Sequence, residues 1–232
     1  MPDAQREIGA VVSPVRCVWL PFYEPLVAIL LSILESKSQE RGRARRDNPM
    51  RNLIFAINIT LDGCCDHTKT IADEQLLEHY AQLLREVGLL VYGRKTYQLM
   101  VPYWPDLAKD ESTTKEEKEF ARAFDSVNKI VFSRSLDSAE GNTRIVRTKL
   151  QDEIFKLKRE QGKDILVGGV NIPSQLIELG LVDEYRFVVQ PIVAGEGRRL
   201  LGGVNLPEKL QLKLVDSKIF KSGCVALRYL KQ

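Results

Sequence analysis

Leu89-Leu90-Val91-Tyr92-Gly93-Arg94-Lys95-Thr96 decides how the rest of the chain is read. Its apolar run makes a short strand buried on both faces. Gly93 stops the strand, and Arg94, Lys95 and Thr96 open a helix. A glycine at a strand's carboxyl end lets backbone amides approach a phosphate, and the following helix adds the positive end of its dipole. Working outward, the pattern recurs twice. Lys129-Ile130-Val131-Phe132 leads into Ser133-Arg134-Ser135, where hydroxyls flank a guanidinium in a way that suits a ribose phosphate. Ile165-Leu166-Val167 leads into Gly168-Gly169-Val170-Asn171-Ile172. Alone, a Gly-Gly is more often a plain tight turn than a ligand site, and a Gly-Arg pair is equally a helix start. Three such clusters, each past a strand, shift the balance, because ligands of open α/β sheets lie at the carboxyl ends of strands.

The remaining pattern alternates strands with helices. Residues 53–61 read as a buried strand broken by Asp62-Gly63. Helical spacing of Leu76, Leu77, Tyr80, Leu83, Leu84 and Val87 predicts a helix over 70–87 with Gly88 as its C-cap. Pro102-Tyr103-Trp104-Pro105 predicts an irregular loop, and Thr113 or Thr114 caps a charged helix running to about Asp125. A strand over 144–146, a helix over 152–160, and a helix capped by Asn171, with Pro173 in its first turn and Gly180 closing it, come next. A long strand over 184–193 precedes strands over 211–215 and 224–230, which are joined through Lys221-Ser222-Gly223. The expected fold is one α/β domain from about residue 50 to 232. Its sheet is mixed but mostly parallel, flanked by helices, and closed by a C-terminal antiparallel hairpin.

The whole chain of 232 residues is 44% hydrophobic and 28% charged, an ordinary globular balance that excludes fibrous and fully disordered classes. A formal net charge of +3 is no electrostatic footprint for nucleic acid. The four cysteines form no CxxC pair, and two histidines exclude chemistry built on histidine pairs, so no metal centre is expected. No G-x-G-x-x-G, no G-x-x-x-x-G-K-[ST] and no H-x-E…C-x-x-C occurs. The first 49 residues differ from the rest. Their apolar stretch, residues 25–34, is half of the roughly 20 residues that cross a bilayer. Its basic cluster, residues 40–47, follows the apolar core instead of preceding it as in a signal peptide. The expectation is a flexible or weakly helical extension, or a start before the working protein at Met50, with a membrane anchor as the alternative; the expected location is cytoplasmic, with no membrane partner.

From Met50 onward the chain resembles the dihydrofolate-reductase-like family that includes the reductase domain of the riboflavin-pathway deaminase–reductase. The resemblance rests on Leu61-Asp62-Gly63, on Tyr92-Gly93-Arg94-Lys95-Thr96-Tyr97, on residues 129–134 and on Ile165-Leu166-Val167-Gly168-Gly169. It continues through Gly180-Leu181-Val182-Asp183-Glu184-Tyr185 to Pro191 and Gly195-Glu196-Gly197. It implies NADPH as hydride donor to a heterocycle of pyrimidine or pteridine type, as in 5-amino-6-(5-phosphoribosylamino)uracil reductase. Gly93, Arg94, Lys95 and Thr96 would hold the coenzyme phosphates. Ser133, Arg134 and Ser135 would read the adenosine 2′-phosphate, and Gly168, Gly169, Val170, Asn171 and Ile172 would lie along the pyrophosphate. The end of the first strand, Asn58 to Asp62, would face nicotinamide and substrate.

Hydride arrival at a C=N or C=O calls for a proton source. Asp62 is the leading catalytic candidate, with an Asx-turn as its alternative role. Asp73 and Glu74 open the following helix and complement its dipole. Glu196, in a basic glycine-flanked loop, is the second substrate candidate beside Asn58, with a solvated turn as the alternative. Tyr103 and Trp104 would either wall a flat ring or pack as core. A non-catalytic nucleotide-binding protein and a dihydrofolate reductase proper are the competing readings, and a homodimer through the C-terminal strands is the expected assembly.

Overall fold

Why β1, Leu53–Thr60, lies at the centre follows from its composition: Leu53, Ile54, Phe55 and Ala56 are all buried, so both faces need cover. The computed structural model describes residues 50–108, 110–206 and 208–232. The expectations for residues 1–49 lie outside the described residues. After β1 the chain runs through a 3-10 turn, His67–Lys69, to α1, Glu74–Glu86, and β2, Val87–Gly93. Three helices follow, α2 (Arg94–Met100), α3 (Tyr103–Leu107) and α4 (Lys115–Ser126). Then come β3 (Asn128–Phe132), β4 (Thr143–Val146), α5 (Leu150–Arg159), β5 (Asp164–Val167) and α6 (Asn171–Glu178). The chain closes with β6 (Glu184–Gln190), β7 (Leu212–Ile219) and β8 (Val225–Lys231).

The eight strands form one sheet in the order β4-β3-β2-β5-β1-β6-β8-β7. Every pairing from β4 to β6 is parallel, and β8 runs antiparallel to both β6 and β7. The expected mixed sheet with a terminal hairpin is therefore present. Helices cover both faces. Ile54 and Ala56 face a core shared with Leu77, Leu84 and Phe124 of α1 and α4. Leu53 and Phe55 face the core of Ile154 and Leu176 from α5 and α6. Complete burial of a side chain such as Phe55 stabilises by about 1.5–3 kcal/mol.

Four local expectations are corrected. The first helix begins at Glu74 and not at residue 70, because the main chain of Ile71 is held on both sides by the Gln190 amide (3.2 and 3.0 Å). Asp73 then serves as N-cap, accepting from Leu76 N at 2.7 Å. Gly88 caps nothing: α1 passes straight into β2 at Val87, and Gly88 lies inside the strand. The Pro102–Pro105 segment is not irregular but forms α3, since Pro102 at the N-cap and Pro105 in the first turn sit where no N–H is required. Val170, not Asn171, is the cap residue of α6. Gly180 does close α6: its N–H meets Ile177 O at 2.9 Å, and Leu181 N meets Leu176 O at 2.9 Å, a Schellman pair.

In this topology the helices after parallel strands run back, so their C-termini gather at the amino ends of the strands. Lysines meet the free carbonyls there. Buried Lys129 donates to Val127 O (2.9 Å), Asp125 O (3.4 Å) and Asn142 Oδ1 (3.0 Å) at the end of α4. Lys163 donates to Arg85 O at 2.8 Å at the end of α1. Both place a cation against the negative end of a helix dipole.

Candidate functional site

The sheet order puts β2 between β3 and β5. Gly93 lies opposite Phe132, and Val91 opposite Val167, so the three glycine- and serine-bearing turns leave adjacent strands at the same end. The structure thus brings together residues 93–96, 133–135 and 168–172. The contact between the first and third turns is intimate. Gly169 has φ +85°, and a Cβ there would lie 2.3 Å from Thr96 Oγ1. A Cβ on Gly168 would lie 2.7 Å from the Tyr92 ring. Only glycine lets the two turns approach this closely.

The helices opening from these turns, α2 after Gly93 and α6 after Val170, have no side-chain cap. Asp73 caps α1, and Thr114 with Glu117 forms a capping box on α4, while α3 and α5 also lack a side-chain cap but do not open from a glycine turn. The first N–H groups of α2 and α6 are therefore donors that no cap residue occupies, in the geometry an anion uses. Arg94 and Lys95 are exposed beside them, with Arg94 donating to Gln98 Oε1 at 3.3 Å. In the middle turn, Ser133 Oγ accepts from Ser135 N (3.2 Å) and Leu136 N (3.0 Å), so this buried hydroxyl shapes the turn and keeps its own proton to donate. Arg134 and Ser135 are exposed.

The end of β1 is a second centre. Asp62 accepts from Thr60 Oγ1 (2.6 Å), Ala194 N (3.0 Å) and Gly195 N (2.9 Å), and pairs with Arg199 at 2.7 Å. The Thr60 hydroxyl, the loop amides and the guanidinium hold its carboxyl far below the usual carboxylate range. A group held ionised carries no proton to give. The geometry makes Asp62 an anchor for residues 194–199, joined by Cys65 N to Arg198 O (2.8 Å) and Leu200 N to Gly63 O (2.8 Å). Glu196 stands out from this loop, 79% exposed and paired with Lys69 at 3.1 Å. Asn58 faces α1, where its Oδ1 accepts from the Tyr80 hydroxyl at 2.8 Å. Burial pushes the Tyr80 phenol up, so it stays a neutral donor. Burial also raises the Cys65 thiol, which leaves no thiolate beside the site.

Sequence reasoning missed several participants. Arg198 donates to Asn171 Oδ1, tying the glycine loop to the start of α6. Arg199 holds Asp62, and Tyr80 holds Asn58. The basic character of residues 198 and 199 is visible in the sequence, but their partners are remote in the chain. Trp104 is partly buried and packs against the core on Phe120 (ring centroids 4.3 Å apart), whereas Tyr103 is exposed. Two open cavities lie elsewhere. One, of about 490 Å³, is lined by α2 and α3. The other, of about 650 Å³, lies at the amino ends of the strands, where Lys129 and Lys163 are already engaged by helix carbonyls. The converging helix N-termini make the carboxyl end the better candidate. Among the described residues, no helix is long and apolar enough to cross a membrane.

The RibD C-terminal domain model matches residues 51–226. Over 183 residues the chain is 32% identical to the uncharacterised protein YyaP of Bacillus subtilis (strain 168), covering 77% of this chain and 94% of that protein. Its fold is similar to that of a Thermotoga maritima diaminohydroxyphosphoribosylaminopyrimidine deaminase/5-amino-6-(5-phosphoribosylamino)uracil reductase, with TM-score 0.55 and 15% identity, over 79% of this chain and 57% of that one. It is also similar to dihydrofolate reductase from Enterococcus faecalis in complex with NADP(H), with TM-score 0.54 and 12% identity, over 78% and 96% of the two chains. A dihydrofolate-reductase-like sheet, the ordered strand-end turns and the match across residues 51–226 agree: this chain belongs to the RibD C-terminal domain family.

Proposed function

We propose that the protein is an NADPH-dependent reductase that delivers hydride to a pyrimidine- or pteridine-like heterocycle, in the manner of 5-amino-6-(5-phosphoribosylamino)uracil reductase. The observation that carries the reading is the pair of uncapped helix N-termini, α2 and α6, opening from touching glycine turns on adjacent strands. These residues fit a dinucleotide. The amides at Arg94–Thr96 and at Asn171–Ile172 suit its phosphates, and Arg134 and Ser135 suit a ribose 2′-phosphate. When bound, NADPH supplies the hydride.

The chain's own groups orient the acceptor. With its Oδ1 held by Tyr80, Asn58 presents an amide N–H₂ that can polarise a carbonyl or ring nitrogen at the end of β1. Asp62 keeps the loop 194–199 in place, and Arg198 joins that loop to Asn171. The proton then comes from water admitted beside the exposed loop. The ionised state of Asp62 favours one second reading, a nucleotide-binding protein without turnover.

Titrating the full chain with NADPH and with NADH, followed by nicotinamide fluorescence, tests the proposal. The expected result is at least tenfold preference for NADPH, reduced by Arg134→Ala. Absence of binding by either dinucleotide overturns it. NADPH binding without oxidation across a panel of pterins and aminouracils supports the second reading.

A further inference from the structure

We infer that Arg147 is a second specificity-determining arginine of the coenzyme groove, acting with Arg134 on the ribose 2′-phosphate. The inference rests on the reading of that groove as an NADPH site. Arg147 belongs to none of the three strand-end clusters, since it follows β4 without a glycine or a helix-opening pattern. The sheet nevertheless delivers it to the middle cluster. Val146 lies opposite Phe132, and Ser133 N donates to Val146 O at 3.2 Å, so the chain leaves β3 and β4 side by side. The Arg147 guanidinium then reaches over the turn and donates to Leu136 O at 2.6 Å. The same turn is closed from inside by Ser133 Oγ and carries Arg134 on its exposed side. One arginine thus lies on the turn and a second is bonded to its end.

What marks this pair is that two arginines without a carboxylate partner meet at one turn. Arg144, Arg186, Arg199 and Arg228 are each paired with a carboxylate. Among the described residues, neither Arg134 nor Arg147 is. Arg147 uses one N–H on Leu136 O, and a guanidinium has five, so four donors remain. Two un-neutralised guanidinium groups at a turn with a serine hydroxyl form a set that suits a dianionic phosphate ester and gives nothing comparable to a bare ribose hydroxyl. The competing role for Arg147 is mechanical, a tie that holds the carbonyl of Leu136 and hence the turn. That role would reach the 2′-phosphate only through Arg134 and Ser135 on the turn itself, so on an Arg134→Ala background the loss of Arg147 would cost NADPH little more.

Dissociation constants of the full chain for NADPH and for NADH separate the two roles. Arg147→Gln is the informative variant, since it removes the charge and keeps a polar, shorter amide in its place. Arg147→Met removes both. The expected result is that each variant weakens NADPH at least tenfold and leaves NADH within about twofold. Placed on Arg134→Ala, Arg147→Gln should weaken NADPH at least a further threefold and abolish the preference; no further loss shows that Arg147 acts only through the turn and overturns the inference. Equal weakening of both coenzymes by Arg147→Gln, or an unchanged ratio, overturns the inference while the preference of the unsubstituted chain leaves the groove reading intact. An unsubstituted chain that binds neither dinucleotide, or both alike, overturns the groove reading itself and this inference with it.

Discussion

Gly169→Ala offers the sharpest test of how the groove is built. Two separate costs apply. Its backbone has φ +85°, and the left-handed region costs an L-residue with a Cβ about 1–2 kcal/mol. The new Cβ would also lie 2.3 Å from Thr96 Oγ1 and 3.3 Å from Thr96 Cβ. Forcing one extra carbon into so tight a contact costs about 1–3 kcal/mol. The sum is about 2–5 kcal/mol, or a fall of roughly 5–15 °C in Tm for a domain of this size. Gly195→Ala is the control: φ is +73°, but nothing lies within 4 Å of the added carbon, so only the backbone cost of about 1–2 kcal/mol remains. Thr96→Ala removes the clashing hydroxyl. Placed on Gly169→Ala, it should restore about 1–3 kcal/mol, a coupling that a double-mutant cycle in urea reads directly. If Gly169→Ala costs no more than Gly195→Ala, or if Thr96→Ala restores nothing, then the touching turns are not what fixes the groove.

Other expected outcomes follow from single groups. Phe55→Ala, at a fully buried ring packed edge-on to Phe187 (centroids 5.7 Å apart), should cost about 3–5 kcal/mol by urea denaturation. Asp62→Asn should speed hydrogen exchange at the Ala194 and Gly195 amides at neutral pH, and unchanged protection would remove Asp62 as the loop anchor. Because the folded carboxyl of Asp62 is depressed, its contribution is complete above the unfolded value near 3.9 and disappears only as pH falls below it. Wild-type exchange at these amides, corrected for intrinsic rates, should therefore stay protected from pH 8 to pH 5. For Lys129 the folded value is again the lower one, but for the opposite reason: burial disfavours the charged form and brings its ammonium down to about 8. Between that value and the unfolded lysine value, the unfolded chain binds more protons, so stability should rise with pH. Between pH 8 and 9.5 the urea midpoint of Lys129→Met should therefore fall progressively relative to that of the unsubstituted protein.

The three strand-end turns were legible because each combines an apolar run with residues that punctuate it locally. Both the strand and its stop are properties of neighbouring residues. The same holds for Gly180, which needs only its own helix to close. What escaped was set at a distance. The start of α1 is fixed at Asp73 because Gln190, 119 positions from Ile71, holds the preceding segment extended. Asp62 looks like an Asx-turn residue from the sequence, and its bond to Thr60 is local. Its loop partners Ala194 and Gly195 lie 132 and 133 positions away. Arg147, just past β4, gives no local signal, since only the pairing of β3 with β4 brings it to the turn. The prolines of α3 read as breakers because their tolerance in a first turn depends on where the helix begins.

The place of β1 in the sheet has a consequence for synthesis. β2, β3 and β4 are neighbours both in the chain and in space, so this part can pair as it emerges from the ribosome. β1 comes first, but it pairs only with β5 and β6. The amide of Leu53 finds its acceptor on Asp183, 130 residues later. At about 5–20 residues per second, that is a wait on the order of ten seconds for an apolar strand without partners. Closing so long a loop also slows refolding relative to a sheet of local pairs. The strand that ends up at the molecule's centre is thus the one exposed longest, and chaperone binding to nascent chains should concentrate on residues 53–60.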